Sequence, residues 1–127
     1  MKVLIVDDED HILETLSLAF KRLGHQAVTL SDPLKVIPVV RNQKPDIVML
    51  DIMMPGADGF ATYHTLAEDP ELAALPVVIL TALDDKLTTR ISREIGAEMI
   101  MHKPFDPLEV ARKVEEVHRR RSSQGAD

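Results

Sequence analysis

The chain has no cysteine, which excludes a disulfide scaffold and a thiolate zinc site. It also lacks any run near the ~20 apolar residues that a membrane span requires. The first apolar run, Val3–Val6, is far shorter than the core of a signal peptide and is followed at once by acids. An excess of positive charge is missing too. The formal net charge is −6 over 127 residues, with a pI of about 5.3, which argues against a domain dedicated to nucleic acid. The one basic cluster, Arg119–Arg121, lies beside the C-terminus and suits a helix end. Neither G-x-x-x-x-G-K-[ST] nor G-x-G-x-x-G occurs, so there is no glycine cradle for a nucleotide. These absences leave a single domain, expected to be soluble and cytoplasmic, long enough to bury a core without staples.

What is present is a rhythm. Val3–Val6, Ile47–Leu50 and Val77–Leu80 are apolar without alternation, as strands covered on both faces by helices should be. Ala27–Leu30 and Met99–Met101 fall where the same rhythm calls for a strand. Between them, residues 10–23 place Ile12, Leu13, Leu16, Phe20 and Leu23 on one helical face, with Gly24 as the stop. Asp32-Pro33 and Asp106-Pro107 are pairs of N-cap and first helical residue. Leu87, Ile91 and Ile95 step by four towards Gly96, and Leu108, Ala111, Val114 and Val117 form the last apolar stripe. Glu109–Lys113, Glu115–Arg119 and Glu116–Arg120 support that helix on its outer side. Pro38 falls inside the second helix, where it lacks an N–H and crowds the carbonyl of Leu34, so that helix is expected to be kinked or short. Five strands separated by helices predict a doubly wound (βα)5, flavodoxin-like fold of the α/β class. The predicted strand order of its parallel sheet is 2-1-3-4-5.

In such a sheet ligands gather at the carboxyl ends of the strands. The first strand ends in Asp7-Asp8, followed by Glu9 and Asp10; the third ends in Asp51, the fourth in Thr81-Ala82 and the fifth in His102-Lys103-Pro104. The order 2-1-3-4-5 brings Asp7, Asp8, Asp51, Thr81 and Lys103 to one rim. Any one of these acids could be a turn former, and a lone Thr or Lys there would mean little. Three carboxylates together repel unless a cation joins them, and oxygen ligands of this kind suit Mg²⁺. Lys103 adds a second positive charge. With no cysteine or serine nucleophile in a suitable setting, Asp51 is the candidate, since a carboxylate can attack phosphorus and form an acyl phosphate. Transfer of that kind needs alignment and neutralised oxygens more than elaborate protein chemistry.

Four segments, "KVLIVDDED", "PDIVMLDIMMPGADGF", "PVVILTA" and "GAEMIMHKPFDPLEV", together span essentially the whole chain. In this order they resemble the receiver domain of two-component response regulators, the CheY-like family. The resemblance implies a receiver over residues 1–121; the small, polar composition of 122–127 suggests a disordered tail or the start of a linker. It implies that Asp51 accepts a phosphoryl group from the phosphohistidine of a sensor histidine kinase or a phosphotransfer protein. Asp8 and Asp51 would hold Mg²⁺ directly, Asp7 mainly through water, and the backbone carbonyl of Met53 would complete the protein ligands. Lys103 would pair with the phosphoryl oxygens across a cis Lys103-Pro104 bond. Thr81 would swing inward beside the small Ala82, and Pro55, Gly56 and Gly59 would shape the loop after the acceptor. The face made by the fourth helix, fifth strand and fifth helix would carry the output, including homodimerisation. The output domain or effector is left open, with no membrane and no direct nucleic-acid contact by this domain.

The chain departs from the family pattern at three places. Ile100 stands where an aromatic residue usually couples to the Thr, so it either packs in the core or alters that coupling. Met53 and Leu83, two beyond Asp51 and Thr81, are apolar and unable to orient an attacking water, so self-dephosphorylation is expected to be slow. No output domain follows within the sequence, which fits either a stand-alone receiver or part of a longer regulator. The implied activity is a switch that assists its own phosphorylation, not an enzyme acting on a separate substrate. Two other readings stand beside it: an interaction module independent of phosphorylation, which Ile100 mildly favours, and an aspartate-nucleophile phosphatase. The latter is weak because Met53 occupies the place of its general acid–base aspartate.

Overall fold

A computed structural model describes the backbone of residues 1–54, 57–82 and 99–125, and the side chains of 1–52, 61–82 and 99–121. The strands are β1 (Lys2–Val6), β2 (Gln26–Leu30), β3 (Ile47–Asp51), β4 (Met53–Met54), β5 (Ala57–Asp58), β6 (Val77–Thr81) and β7 (Met99–His102). The helices are α1 (Asp10–Arg22), α2 (Val36–Gln43), α3 (Gly59–Glu68) and α4 (Pro107–Gly125). The helix expected over Leu87, Ile91 and Ile95 lies outside the described residues. Five strands form one parallel sheet in the order β2-β1-β3-β6-β7, which is the order 2-1-3-4-5 read from the sequence.

The unbroken apolar runs are explained by two cores, one on each face of this sheet. Val3, Ile5, Met49, Val78 and Leu80 join Leu13, Leu16 and Phe20 of α1 and Val110, Ala111, Val114 and Val117 of α4. Leu4, Val6, Val48, Leu50 and Ile79 join Val36 and Val40 of α2 and Tyr63 and Leu66 of α3. Successive residues of a strand face opposite ways, so a strand between two apolar layers needs every position apolar. Each fully buried aliphatic side chain contributes about 1.5–3 kcal/mol, and β3 and β6 are buried along their whole length. The central strands β3 and β6 are therefore held by packing on both faces.

Local signals set the helix ends. After α1, the Gly24 N–H donates to the Lys21 carbonyl at 3.0 Å and the His25 N–H to the Phe20 carbonyl at 3.0 Å. Gly24 takes φ +86°, a left-handed stop that an L side chain would strain. Asp32 Oδ1 accepts from the Leu34 N–H at 3.0 Å and Asp106 Oδ1 from the Leu108 N–H at 3.1 Å. Pro38 acts as expected. A 3-10 turn (Pro33–Lys35) precedes α2, which has only 8 residues. Pro38 thus sits in the first turn of α2, where a missing N–H leaves no helical bond unmade.

Two features were not read from the sequence. Met53 pairs with Asp58 and Met54 with Ala57 in a two-residue antiparallel ladder directly after Asp51, too short to leave an alternating pattern. Helical backbone also continues past Arg121 through Ser122, Ser123 and Gln124 to Gly125, into the segment whose composition suggested a tail. Serine and glutamine are tolerated in a helix, and glycine is a frequent stop.

Candidate functional site at the carboxyl ends of the strands

Each strand delivers one polar group as its apolar stretch ends. The Asp7 N–H donates to the Leu30 carbonyl at 3.1 Å, extending the β1–β2 ladder by one residue. The Ile52 N–H donates to the Leu80 carbonyl at 3.2 Å, which anchors the chain just past Asp51. The Lys103 N–H donates to the Thr81 carbonyl at 2.8 Å. Neighbouring ladders therefore hold all of these backbones, and Asp7, Asp51 and Thr81 are buried, at 0%, 1% and 0% exposure.

The side chains meet at Lys103. Its Nζ lies 2.8 Å from Asp7 Oδ2, 2.8 Å from Glu9 Oε2 and 3.2 Å from Asp51 Oδ2. Burial works against the charge of this ammonium, but contacts with Asp7, Glu9 and Asp51 outweigh it and raise its pKa above the ordinary lysine value. The same contact, as a hydrogen bond from Lys103, holds the Glu9 carboxyl below its usual range. The bond Lys103-Pro104 is cis, as the family resemblance implied.

One ammonium does not balance this rim. Among the described residues, Asp7, Glu9 and Asp51 contact Lys103 and Asp8 stands beside them, a formal excess of three negative charges. Asp7, Asp8 and Asp51 each offer a carboxylate oxygen, and the three lie within 4.8 Å of one another. Oxygens bound at about 2.1 Å to one octahedral ion are at most about 4.2 Å apart, so little closure is needed. The contact between Asp7 and Lys103 is a charge contact without hydrogen-bond direction, leaving the buried Asp7 Oδ2 with no hydrogen bond. Its other oxygen accepts from the Glu9 N–H at 2.9 Å. A buried carboxylate oxygen of this kind, in an all-oxygen and electron-rich set, fits a hard divalent cation such as Mg²⁺.

All five residues read from the sequence as the rim belong to it. Asp7 and Asp51 are buried and touch Lys103; Asp8 is exposed and completes the carboxylate trio; Thr81 is buried at the tip of β6. Ala82 follows it at the surface. The backbone of Met53 lies in β4, two residues past Asp51, and Gly59 opens α3. Pro55, Gly56 and Leu83 lie outside the described residues. Ile100 is half-buried and packs against the core on the α2–α3 face, the plainer of its two readings. Glu9 was missed as a partner of Lys103. Its place directly after the strand-terminal acid pair was the available signal, but nothing local told its side chain which way to turn.

Known proteins share this fold and family. The response regulator receiver domain family matches residues 3–115. The alkaline phosphatase synthesis transcriptional regulatory protein PhoP of Bacillus subtilis is 34% identical over 119 residues, covering 94% of this chain and 49% of that protein. The DNA-binding response regulator MtrA of Mycobacterium tuberculosis is 31% identical over 126 residues, covering 99% of this chain and 54% of that protein. The chain thus spans about half the length of these curated relatives. Among solved structures, the BeF3-activated N-terminal receiver domain of Klebsiella pneumoniae RstA has 26% identity and a TM-score of 0.82, covering 94% of this chain and 99% of that one. The receiver domain of Francisella response regulator 1452 has 26% identity and a TM-score of 0.84, covering 94% and 97%. With the sheet order and the acidic rim already in place, the match over residues 3–115 fixes the family: the chain belongs to the response regulator receiver domains of two-component systems, which serve as signalling switches rather than as classical enzymes.

Proposed function

We propose that Asp51 is the phosphoacceptor of this switch. The observation that carries the reading is the placement of a buried Asp51 carboxylate at the tip of a central strand, 3.2 Å from the Lys103 ammonium and grouped with Asp7 and Asp8. In the transfer, an Asp51 oxygen forms a bond to phosphorus as the bond from phosphorus to a donor histidine nitrogen breaks. The electron pair leaves with that nitrogen, and because the donor's other ring nitrogen carries a proton the histidine of the sensor kinase or phosphotransfer protein returns to a neutral imidazole. Asp8, Asp51 and the Met53 carbonyl, with Asp7 through water, would hold Mg²⁺, which when bound would supply positive charge to the phosphoryl oxygens.

The chain's own residues do the remainder. β3 holds the nucleophile rigidly between two buried neighbours, so little ordering is left to be done at the moment of attack. Lys103 offers its ammonium to an equatorial oxygen and Thr81 its hydroxyl to another. The added phosphoryl charge and acceptors then bias two arrangements of the face that includes β7 and α4, which carries the signal. The names of the two curated relatives describe a transcriptional regulator and a DNA-binding regulator, and control of transcription by the protein that carries this receiver follows from that likeness.

The test is incubation with acetyl phosphate and Mg²⁺, followed by intact mass measurement. The wild-type chain is expected to gain one phosphoryl group, and Asp51→Ala none. A folded wild-type protein that gains nothing, or an Asp51→Ala variant that gains as much, overturns the assignment.

A further inference from the structure

We propose that Glu9 is a positioning residue for phosphoryl transfer: it holds the Lys103 ammonium in the resting protein and gives it up to the incoming phosphoryl oxygens. The proposal rests on the reading of Asp51 as phosphoacceptor. Lys103 Nζ donates hydrogen bonds to Glu9 Oε2 at 2.8 Å and Asp51 Oδ2 at 3.2 Å, and Asp7 Oδ2 lies 2.8 Å away as a charge contact. A phosphoryl oxygen competes with these three carboxylates, and gains the ammonium most readily where one of the contacts gives way.

Two of them are poorly placed to do so. Asp7 and Asp51 are buried on short side chains at the tips of strands in the middle of the sheet. Glu9 differs in every respect. Its side chain is 46% exposed, has one more rotatable bond than an aspartate, and stands outside the carboxylate trio suited to a cation. Its backbone is fixed independently of that side chain. The Glu9 N–H donates to Asp7 Oδ1 at 2.9 Å, and its carbonyl accepts from Ile12 and Leu13 at the start of α1. Its carboxylate makes no helix-capping bond. Glu9 can therefore turn outward to water without disturbing β1 or α1, and an exposed ion pair is the cheapest of the three to break.

A competitor for Lys103 slows phosphorylation. With acetyl phosphate and Mg²⁺, Glu9→Gln is expected to raise the second-order rate constant about 2- to 5-fold. Glu9→Asp keeps the charge but loses the reach, and is expected to accelerate similarly. The half-life of the acyl phosphate should change by less than twofold in either variant, because Glu9 has left before the phosphoryl group arrives. In the metal-free protein the Lys103 ammonium resonance should shift in both variants, while their unfolding midpoints stay within a few degrees of wild type. Equal or slower phosphorylation in Glu9→Gln overturns the proposal. So does acceleration in Glu9→Gln with none in Glu9→Asp, which would mark general repulsion of the anionic donor. If wild type itself is not phosphorylated, the assignment of Asp51 falls and takes this one with it. If wild type is phosphorylated and the variants do not accelerate, Glu9 alone is misassigned.

Discussion

The two ends of the sheet handle charge in opposite ways. At the carboxyl ends of the strands, among the described residues, three carboxylates contact one ammonium with Asp8 beside them, and Asp7 and Asp51 are buried. Towards the amino ends, charged and polar groups pair off and spend little in burial. The Lys2 N–H donates to Asp46 Oδ2 at 2.6 Å while the Asp46 N–H donates to the Lys2 carbonyl at 2.7 Å. Arg41 reaches Asp69 and, at 2.8 Å, Glu71. His25 Nε2 meets Glu115 Oε2 at 2.6 Å, with the N-terminal ammonium 3.0 Å from its Nδ1, and Arg121 donates to the Ala74 carbonyl at 2.9 Å. One end joins helices and strands by matched contacts. The other keeps an electrostatic imbalance that a cation and a phosphoryl group can exploit.

Deleting one cation from each end tests that contrast most severely. Lys103→Met leaves buried Asp7 and Asp51 without their shared counter-charge, and breaking a buried pair from one side is strongly destabilising. A loss of about 3–5 kcal/mol at neutral pH is expected in urea unfolding without Mg²⁺. Arg41→Met removes an arginine whose side chain is 46% exposed, and should cost less than about 1 kcal/mol. Similar losses from the two variants would mean that the rim is no more strained than an ordinary surface.

How much of this contrast was open to sequence reading follows from the physics of each end. The rim was legible because a strand between two apolar layers has a strong pattern, and whatever polar residue ends it must lie at the strand tip. Asp7, Asp51, Thr81 and Lys103 are all placed by that rule. Glu9 was not, because its role depends on a rotamer rather than on strand position. The matched pairs at the other end join residues 28, 30, 44 and 90 positions apart, on helices and turns with no shared period. Only the pairs within α4, such as Glu109 with Lys113 at 3.1 Å, were visible, since spacing alone makes them neighbours. The ladder between β4 and β5 was hidden by its two-residue length.

The pairing between His25 and Glu115 sharpens the contrast through pH. The hydrogen bond from His25 holds the Glu115 carboxyl below its ordinary range, with Arg119 and Arg112 adding to the effect and desolvation opposing it. A carboxyl whose pKa is depressed by folding contributes stability above its unfolded pKa and loses it as pH falls through the folded one. Wild type should therefore be more stable than Glu115→Gln at pH 6–7, and the gap should narrow as pH drops below about 4.3. Thermal unfolding of both variants at several pH values measures it. A gap that widens in acid would show that Glu115 does not act as a paired carboxylate.

The smallest effect comes from backbone alone. Lys44 closes α2 in the left-handed region, with φ 50° and ψ 58°, and its N–H donates to the Val40 carbonyl at 2.9 Å. A residue with a Cβ pays about 1–2 kcal/mol for that conformation, and glycine adopts it freely. Glycine in turn loses about 0.4–1 kcal/mol by making the unfolded chain more flexible. The two terms nearly offset, so Lys44→Gly should stabilise the protein by about 0.5 kcal/mol, read as a small rise in the urea midpoint at constant slope. Because Lys44 lies at the matched end of the sheet, this gain should be the same with and without Mg²⁺. A gain that depended on Mg²⁺ would mean that the two ends are coupled through β3.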